Sequence, residues 1–315
     1  MVVVGTWNLE NLFRPGSEFG PSDEPAYEAK LAALAGVIDR LAPDVLAVQE
    51  VGDPEALADL ADSLDGDWET GTSTVFDAHH PIRVGVLSRL PLSDIEQPSQ
   101  FPAPLAPVQV DDDGNTIDAM VRGALRVRVA AGGQQLDIVT CHLKSKLLSF
   151  PGGRFQPHDE GERARFAAYA LDRRAAEAVT VRAYADRLLD GHRDERAVIV
   201  LGDLNDEPLA ATTQILLRPP GSEIGTAGFD RPDQGDPWRL WNLAQQIPEE
   251  RPFTRVFRGR PELLDHILVS HALVTPLPAV ETGDVQPPSI TEIASARRDE
   301  PASDHTPVLV RFEID

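Results

Sequence analysis

The chain has 315 residues, 42% of them apolar. That is enough for a core burying roughly three quarters of the unfolded surface, as one large domain or two fused layers. Its 29 basic and 51 acidic residues leave a net charge of -22, which argues against a membrane-surface protein or a non-specific nucleic-acid coat.

The single cysteine, Cys141, rules out an internal disulfide and fits a reducing compartment. No stretch is long and apolar enough for a membrane span, and the opening MVVVGTWNLE lacks the features of an export signal. The expectation is a cytoplasmic chain, or a secreted one whose leader has been removed. A phosphate-handling enzyme stays compatible with the net charge, because salt screens fields beyond about 8 Å and the local field decides.

In chain order, Val2 to Trp7 is an apolar run read as a strand, with Asn8 and Glu10 at alternate positions just beyond it. Tyr27, Leu31, Leu34, Ile38 and Leu41 recur at helical spacing, and Pro43 stops that helix. Val45 to Val48 reads as a second buried strand ending in Gln49 and Glu50. Pro54 to Leu64 reads as a short helix, and Arg83 to Leu87 as another strand. Phe101 to Ala119, rich in Pro, Asp and Gly, is a surface loop.

Arg122 to Val129 and Gln135 to His142 form a predicted hairpin turning at Gly132 and Gly133, its second strand ending in CHLKSK. Continued as a strand, that end puts His142, Lys144 and Lys146 on one face. The chain has three lysines, Lys30, Lys144 and Lys146, so two beside one histidine carry functional weight. Glu160 to Leu189 has the spacing of a long surface helix whose arginines form its solvated face.

Ala197 to Leu201 lacks a polar face and reads as a strand buried on both sides. Gly202 follows, and then Asp203 and Asn205 on one side of the chain. Pro219 to Pro237 shows no period. Leu263 to Val269 is a strand bearing Asp265 and His266. The irregular stretch Pro276 to Pro301 leads to Ser303, Asp304 and His305, just before the last strand.

These strand ends supply Asn8, Glu10, Glu50, Asp203, Asn205 and Asp304 as oxygen donors, with His142 and His305 as proton carriers. Such a set suits a hard cation, Mg2+ or Mn2+ with Ca2+ as a further option, and a phosphoester substrate. There is no Gly-x-Ser-x-Gly elbow, P-loop, Gly-x-Gly-x-x-Gly, Cys-x-x-Cys or His-Glu-x-x-His. A glycosidase carboxylate pair would leave the histidines and lysines unexplained.

The motifs TWNLENLF, LAVQEV, CHLKSK, LGDLNDEP, LLDHILVS and SDHTPV resemble, in order and spacing, the endonuclease/exonuclease/phosphatase superfamily, with deoxyribonuclease I-like members. The Asn-x-Glu-Asn-Leu-Phe opening and His-x-Lys-Ser-Lys are most similar to bacterial nuclease-like members. The resemblance implies a single domain over residues 1–315 with an α/β fold: a four-layer sandwich of two packed mixed β-sheets flanked by helices.

It further implies Glu50 as principal metal ligand, with Asn8, Glu10 and Asp304 as neighbouring metal or water contacts. Asp203 activates the water, a part that family proposals assign either to the aspartate or to the histidine, and Asn205 orients the water or the phosphoryl group. His142 and His305 donate to phosphate oxygens, and Asp265 holds His305. His266 departs from the tyrosine that relatives often carry. Lys144, Lys146 and Arg122 are expected to touch substrate; with Arg154, Arg255 and Arg258 they either line a nucleic-acid groove or form solvated faces.

The implied activity is metal-dependent phosphodiester hydrolysis, as a nuclease of weak sequence preference, since no aromatic stacking stripe is visible. The alternatives are a phosphomonoesterase, a lipid or inositol phosphodiesterase, or a non-catalytic phosphate-binding module. The expected partner is nucleic acid or another phosphodiester, with no obligate protein partner.

Overall fold

The computed structural model describes residues 1–314 except 191–194, 218–222, 227–228, 230, 232–233 and 292–293. Two six-stranded mixed sheets dominate it. The first runs, edge to edge, through Ala279–Thr282, Val308–Phe312, Val2–Leu12, Val45–Val51, Arg83–Ser88 and Glu69–Thr72. The second runs through Trp241–Asn242, Asp265–Val269, Ala197–Asp203, Gln134–His142, Ala124–Ala131 and Ser93–Glu96.

Side-chain alternation along the strands explains why their sequences lack a polar face. Val4, Ala47, Val86, Val127, Ile138 and Ile199 point into one core between the sheets. Their neighbours Leu46 and Val48 point outward onto a second core shared with Leu34, Ile38, Leu57 and Leu60 of the helices α1 (Glu24–Leu41) and α2 (Pro54–Asp62). Val139, Val198 and Val200 point outward onto a third core with Val181 and Leu216 of α3 (Glu160–Leu189) and α4 (Ala211–Leu217). Helix, sheet, sheet and helix are the four layers expected; the central strands are buried on both faces, while the edge strands Glu69–Thr72 and Ser93–Glu96 are exposed or half-buried.

Local chemistry sets the helix ends. Asp23 accepts a hydrogen bond from the Ala26 amide at 3.0 Å to start α1, whose end turns left-handed at Ala42 before Pro43. Asp159 likewise accepts from the Glu162 amide at 2.8 Å to start α3, which spans the residues predicted.

Other expectations are corrected. The first strand continues past Trp7 to Leu12, with a register shift between Asn8 and Leu12. Within Phe101 to Ala119, Val108–Gln109 pairs with Thr116–Ile117, and within Pro276 to Pro301, Ala279–Thr282 forms an edge strand. Strands of two to four residues are too short to show alternation in sequence. Part of Pro219 to Pro237 lies outside the described residues. The arginines of α3 are not all solvated: Arg174 and Arg182 are buried, and Arg182 donates to the Leu216 carbonyl at 2.9 Å.

Gly202 sits where the strand Ala197–Asp203 delivers Asp203. Its φ is +140°, and a Cβ there would lie 2.0 Å from the Cys141 carbonyl oxygen of the adjacent strand. Gly202→Ala is therefore expected to cost about 3 kcal/mol or more, from strain and overpacking together. Urea unfolding should show this as a lower midpoint at unchanged slope, and an unaltered midpoint would exclude the close approach.

Candidate active site

Sheet register brings the predicted residues together. Asp203 pairs with His142 on one side and Asp265 on the other, so the second sheet places these three side by side. In the first sheet Asn8 pairs with Gln49, next to Glu50. The Asn8 carboxamide then links the sheets, donating to Glu50 Oε1 at 3.2 Å and to Asp203 Oδ2 at 3.0 Å.

Left-handed residues mark this edge: Glu10, Asn11, Glu50 and Asn205 have φ between 52° and 61°. Side chains stabilise these turns. Asn8 Oδ1 accepts from the Glu10 amide at 3.0 Å, Asp203 Oδ1 from the Asn205 amide at 2.8 Å, and Glu50 Oε2 from the Asn11 amide at 3.0 Å.

The Ser-Asp-His segment docks on the same edge. Ser303 Oγ donates to the Asn8 carbonyl at 2.7 Å and accepts from the His305 amide at 3.0 Å, while the Trp7 indole donates to the His305 carbonyl at 2.8 Å. The His305 ring is thereby held with Nδ1 2.6 Å from Asp265 Oδ2.

Ligand atoms of Asp203, Asp265 and His305 lie within 4.8 Å of one another, a spacing that could hold a metal ion. Without an ion, the same carboxylates hold a proton on the imidazole. Burial pulls the His305 imidazole down, but Asp265, Asp304 and Asp203 outweigh it and raise its pKa to about 10. Burial and the Asp265 charge raise Asp203 to about 6, placing a carboxylate close to neutrality beside that imidazolium.

His142 behaves oppositely. Burial and the nearby Arg122, His305 and His80 push it well below the usual histidine range, so it is neutral. Its Nε2 lies 2.6 Å from Arg122 Nη1 and 3.4 Å from Asp203 Oδ2, while buried Nδ1 has no partner among the described residues. Nε2 is then the acceptor from the guanidinium.

The Glu50 carboxylate receives only neutral donors, Asn8 and the Asn11 amide, and forms no ion pair among the described residues. A carboxylate bonded only by neutral donors, with the Arg122 and Lys30 charges nearby but not paired to it, sits among oxygen donors without sulfur, a donor set suited to a hard divalent cation. Asp304 lies 3.5 Å from Arg255 Nε, and Glu10 is bonded through both oxygens to Arg297.

Some predicted residues face elsewhere. The strand ends at His142, so Lys144 and Lys146 do not continue its face. Lys144 Nζ donates to the Ser145 and Leu147 carbonyls at 2.9 and 2.7 Å, and Lys146 pairs with Asp206 at 3.2 Å. Asn205 donates to the Leu143 carbonyl at 3.0 Å. His266 bonds the Asp206 carbonyl through Nε2 at 2.9 Å, which fixes the loop after Asp203 and gives this residue a scaffold place.

The sequence reading missed several neighbours. Lys30, buried in α1, senses the charges of Glu10, Asp304, Arg297 and Glu50. His80 bonds Asn11 Oδ1 at 2.9 Å and packs 4.3 Å from the Phe19 ring and 6.1 Å from Phe13. Glu177 of α3 accepts from the Lys144 amide at 2.6 Å, and Arg174 donates to the Lys144 carbonyl at 2.8 Å. The rarity of lysine was a usable signal for Lys30; scattered aromatics and helix arginines gave none.

The profile of the Endonuclease/Exonuclease/phosphatase family matches residues 5–305. No curated protein matches the sequence. Among solved structures, truncated TDP2 of Caenorhabditis elegans superposes with a TM-score of 0.58 at 16% identity, covering 99% of this chain and 97% of that one. The human nocturnin catalytic domain with bound sulfate gives 0.54 at 15%, covering 100% and 94%. A mannosyl-6-phosphatase of Bacteroides thetaiotaomicron gives 0.55 at 14%, covering 99% of each chain. At these identities the likeness is one of fold.

NMR of the metal-free protein is expected to find the His305 ring protonated up to about pH 10. Asp265→Asn removes the carboxylate charge, and the midpoint should fall by about 1–3 pH units. An unmoved midpoint would show that Asp265 does not hold the proton.

Proposed function

Since the chain belongs to the Endonuclease/Exonuclease/phosphatase family, whose members are phosphoester hydrolases, we propose that it is a divalent-metal-dependent phosphodiesterase acting as a nuclease of weak sequence preference. The observation carrying this reading is the buried cluster of Asp203, Asp265 and His305, whose ligand atoms lie within 4.8 Å of one another, with Asn8 3.0 Å from Asp203 Oδ2 and His305 Nδ1 2.6 Å from Asp265. Burial and neighbouring charges raise Asp203 to about 6 and His305 to about 10, so between those values the pair supplies a carboxylate base and an imidazolium donor together.

In the proposed reaction Asp203 takes a proton from a water, which attacks phosphorus in line as the bond to the leaving oxygen breaks. Asn8 keeps the Asp203 carboxylate oriented, and Asn205 contributes the amide that holds its other oxygen. The His305 imidazolium stabilises charge on the phosphoryl oxygens, and Asp265 maintains that imidazolium. Arg122, hydrogen-bonded to neutral His142, is a second fixed positive charge.

Glu50 and Asn8 would hold the cation, with Asp304 at its margin. When bound, Mg2+ or Mn2+ supplies charge neutralisation on the phosphoryl group and leaving oxygen.

The hairpin Arg255–Phe257 and Arg260–Glu262 supports a polymeric substrate. Arg255 bridges to His305 and lies 3.5 Å from Asp304, and the exposed turn beyond carries Arg258 and Arg260. Arg255 and Arg258 each lie 5.6 Å from the centre of the Phe257 ring. Such a basic, aromatic arm suits a phosphate backbone extending from the site. The net charge of -22 favours the second reading, a small phosphomonoester substrate.

Asp203→Asn and His305→Ala are each expected to lower turnover of bis-p-nitrophenyl phosphate with Mg2+ or Mn2+ by on the order of a hundredfold or more, folding retained. Unchanged metal-dependent hydrolysis in both variants would refute the assignment. Wild-type activity should climb as pH passes about 6, where Asp203 loses its proton. Arg258→Ala/Arg260→Ala should raise KM for an oligonucleotide by about tenfold and flatten its salt dependence, leaving the small diester untouched. Equal losses on both substrates, or none on the oligonucleotide, would favour the small-substrate reading.

A further inference from the structure

Glu10 stands where an acidic cation ligand is expected, yet its carboxylate is already occupied. Oε1 accepts from Arg297 Nε at 2.6 Å; Oε2 accepts from Arg297 Nη2 at 2.9 Å and from the Asp304 amide at 2.8 Å. Arg297 Nη2 also donates to the Ala302 carbonyl at 2.8 Å, closing the chain on itself just before Asp304.

The neighbouring residues continue the same attachment. Arg298 donates to the Ser17 carbonyl at 3.0 Å and Asp299 accepts from the Ser22 amide at 2.6 Å. Residues 297–304 thus form a strap lying across residues 10–22, and the strap ends at Asp304 and His305. A planar guanidinium bonded to both oxygens of one carboxylate fixes direction as well as distance.

We propose that Glu10 is a positioning residue and not a cation ligand: Arg297 takes a metal ion's place on its carboxylate, and the pair sets the backbone that presents Asp304 and His305. A metal-bound carboxylate must turn lone pairs toward the ion, and three of the roughly four acceptor positions of Glu10 are taken by N–H donors, against two at Glu50. The site then uses one divalent ion, held at Glu50. This inference rests on the reading of Glu50 as the cation-bearing carboxylate, and its test separates the two.

The measurements are Mn2+ affinity and stoichiometry by titration calorimetry, together with kcat and KM for bis-p-nitrophenyl phosphate. Glu10→Gln and Arg297→Ala should each lower kcat by about 10- to 100-fold, since a displacement of about 1 Å in a reacting group costs that much. KM and Mn2+ affinity should stay within about threefold of the parent, at one ion per chain. Arg297→Lys, which keeps the charge without the planar fork, should recover part of the lost kcat.

Glu50→Gln should instead weaken Mn2+ binding by at least about tenfold. If Glu10→Gln does not fold, Arg297→Gln reads the same coupling from the strap side. Mn2+ affinity falling in Glu10→Gln as far as in Glu50→Gln would overturn the proposal, as would full kcat in both Glu10→Gln and Arg297→Ala. Mn2+ affinity unchanged in Glu50→Gln would instead refute the cation assignment and leave the strap's role standing on kcat.

Discussion

The candidate site depends on one side chain that joins two sheets. Asn8 belongs to the first sheet, and its amide donates both to Glu50 of that sheet and to Asp203 of the other. Every later step of the proposed chemistry needs the distance between those carboxylates to be fixed. An apolar interface alone resists separation, but it tolerates sliding better than a directional bond does. Just behind the site, Gln49 donates to Thr6 and to Thr140 at 3.1 Å each, a second polar link between the sheets. Both links are buried, so a slip would leave unpaired polar groups in the core. Apolar packing holds the two halves together, and these amides set their alignment.

The same fixed frame lets two histidines have opposite fates. His305 bonds to buried Asp265 and carries a proton well above neutrality. His142, a few residues from two lysines and bonded to Arg122, is deprived of one. Residue type did not decide this; the partner atom did. A chain of net charge -22 nevertheless gathers Lys30, Arg122, Lys144, Lys146, Arg255 and Arg297 around this one edge. Screening over about 8 Å separates the local field at this edge from the charge of the whole chain.

Much of this was legible in the sequence because strand ends in such sheets mark themselves. Asn8, Glu50, Asp203, Asp265 and His305 all follow or open short apolar runs, and those residues converge. The runs also foretold strands covered on both sides, while the four layers came from the family resemblance. What was hidden was direction. Alternation predicted that Lys144 and Lys146 would share the face of His142, but alternation holds only while the chain stays extended, and here it ends at His142. Lysine rarity singled out Lys144 and Lys146, whose amines bond nearby carbonyls and Asp206, and it applied equally to Lys30, which periodicity had assigned to an ordinary helix. His80 and Arg297 come from segments with no period, where only tertiary contacts give a residue meaning.

The left-handed residues connect these observations. Glu10, Asn11, Glu50 and Asn205 adopt a conformation that side-chain-bearing residues rarely visit, at a cost of order 1–3 kcal/mol each. Such positions persist only when their surroundings over-determine them. At Glu10 the surroundings are the Asn8 side chain and the strap carrying Arg297; at Asn205 they are Asp203 and the Leu143 carbonyl. The acid and amide groups proposed to act on substrate are therefore the groups that stabilise the turns presenting them. A substitution at Asn8 or Asp203 removes a functional group and the restraint on its neighbour together, so rate losses at these positions contain a geometric part. Glu10 separates the two contributions, because on the reading proposed above it shapes the site without touching the substrate.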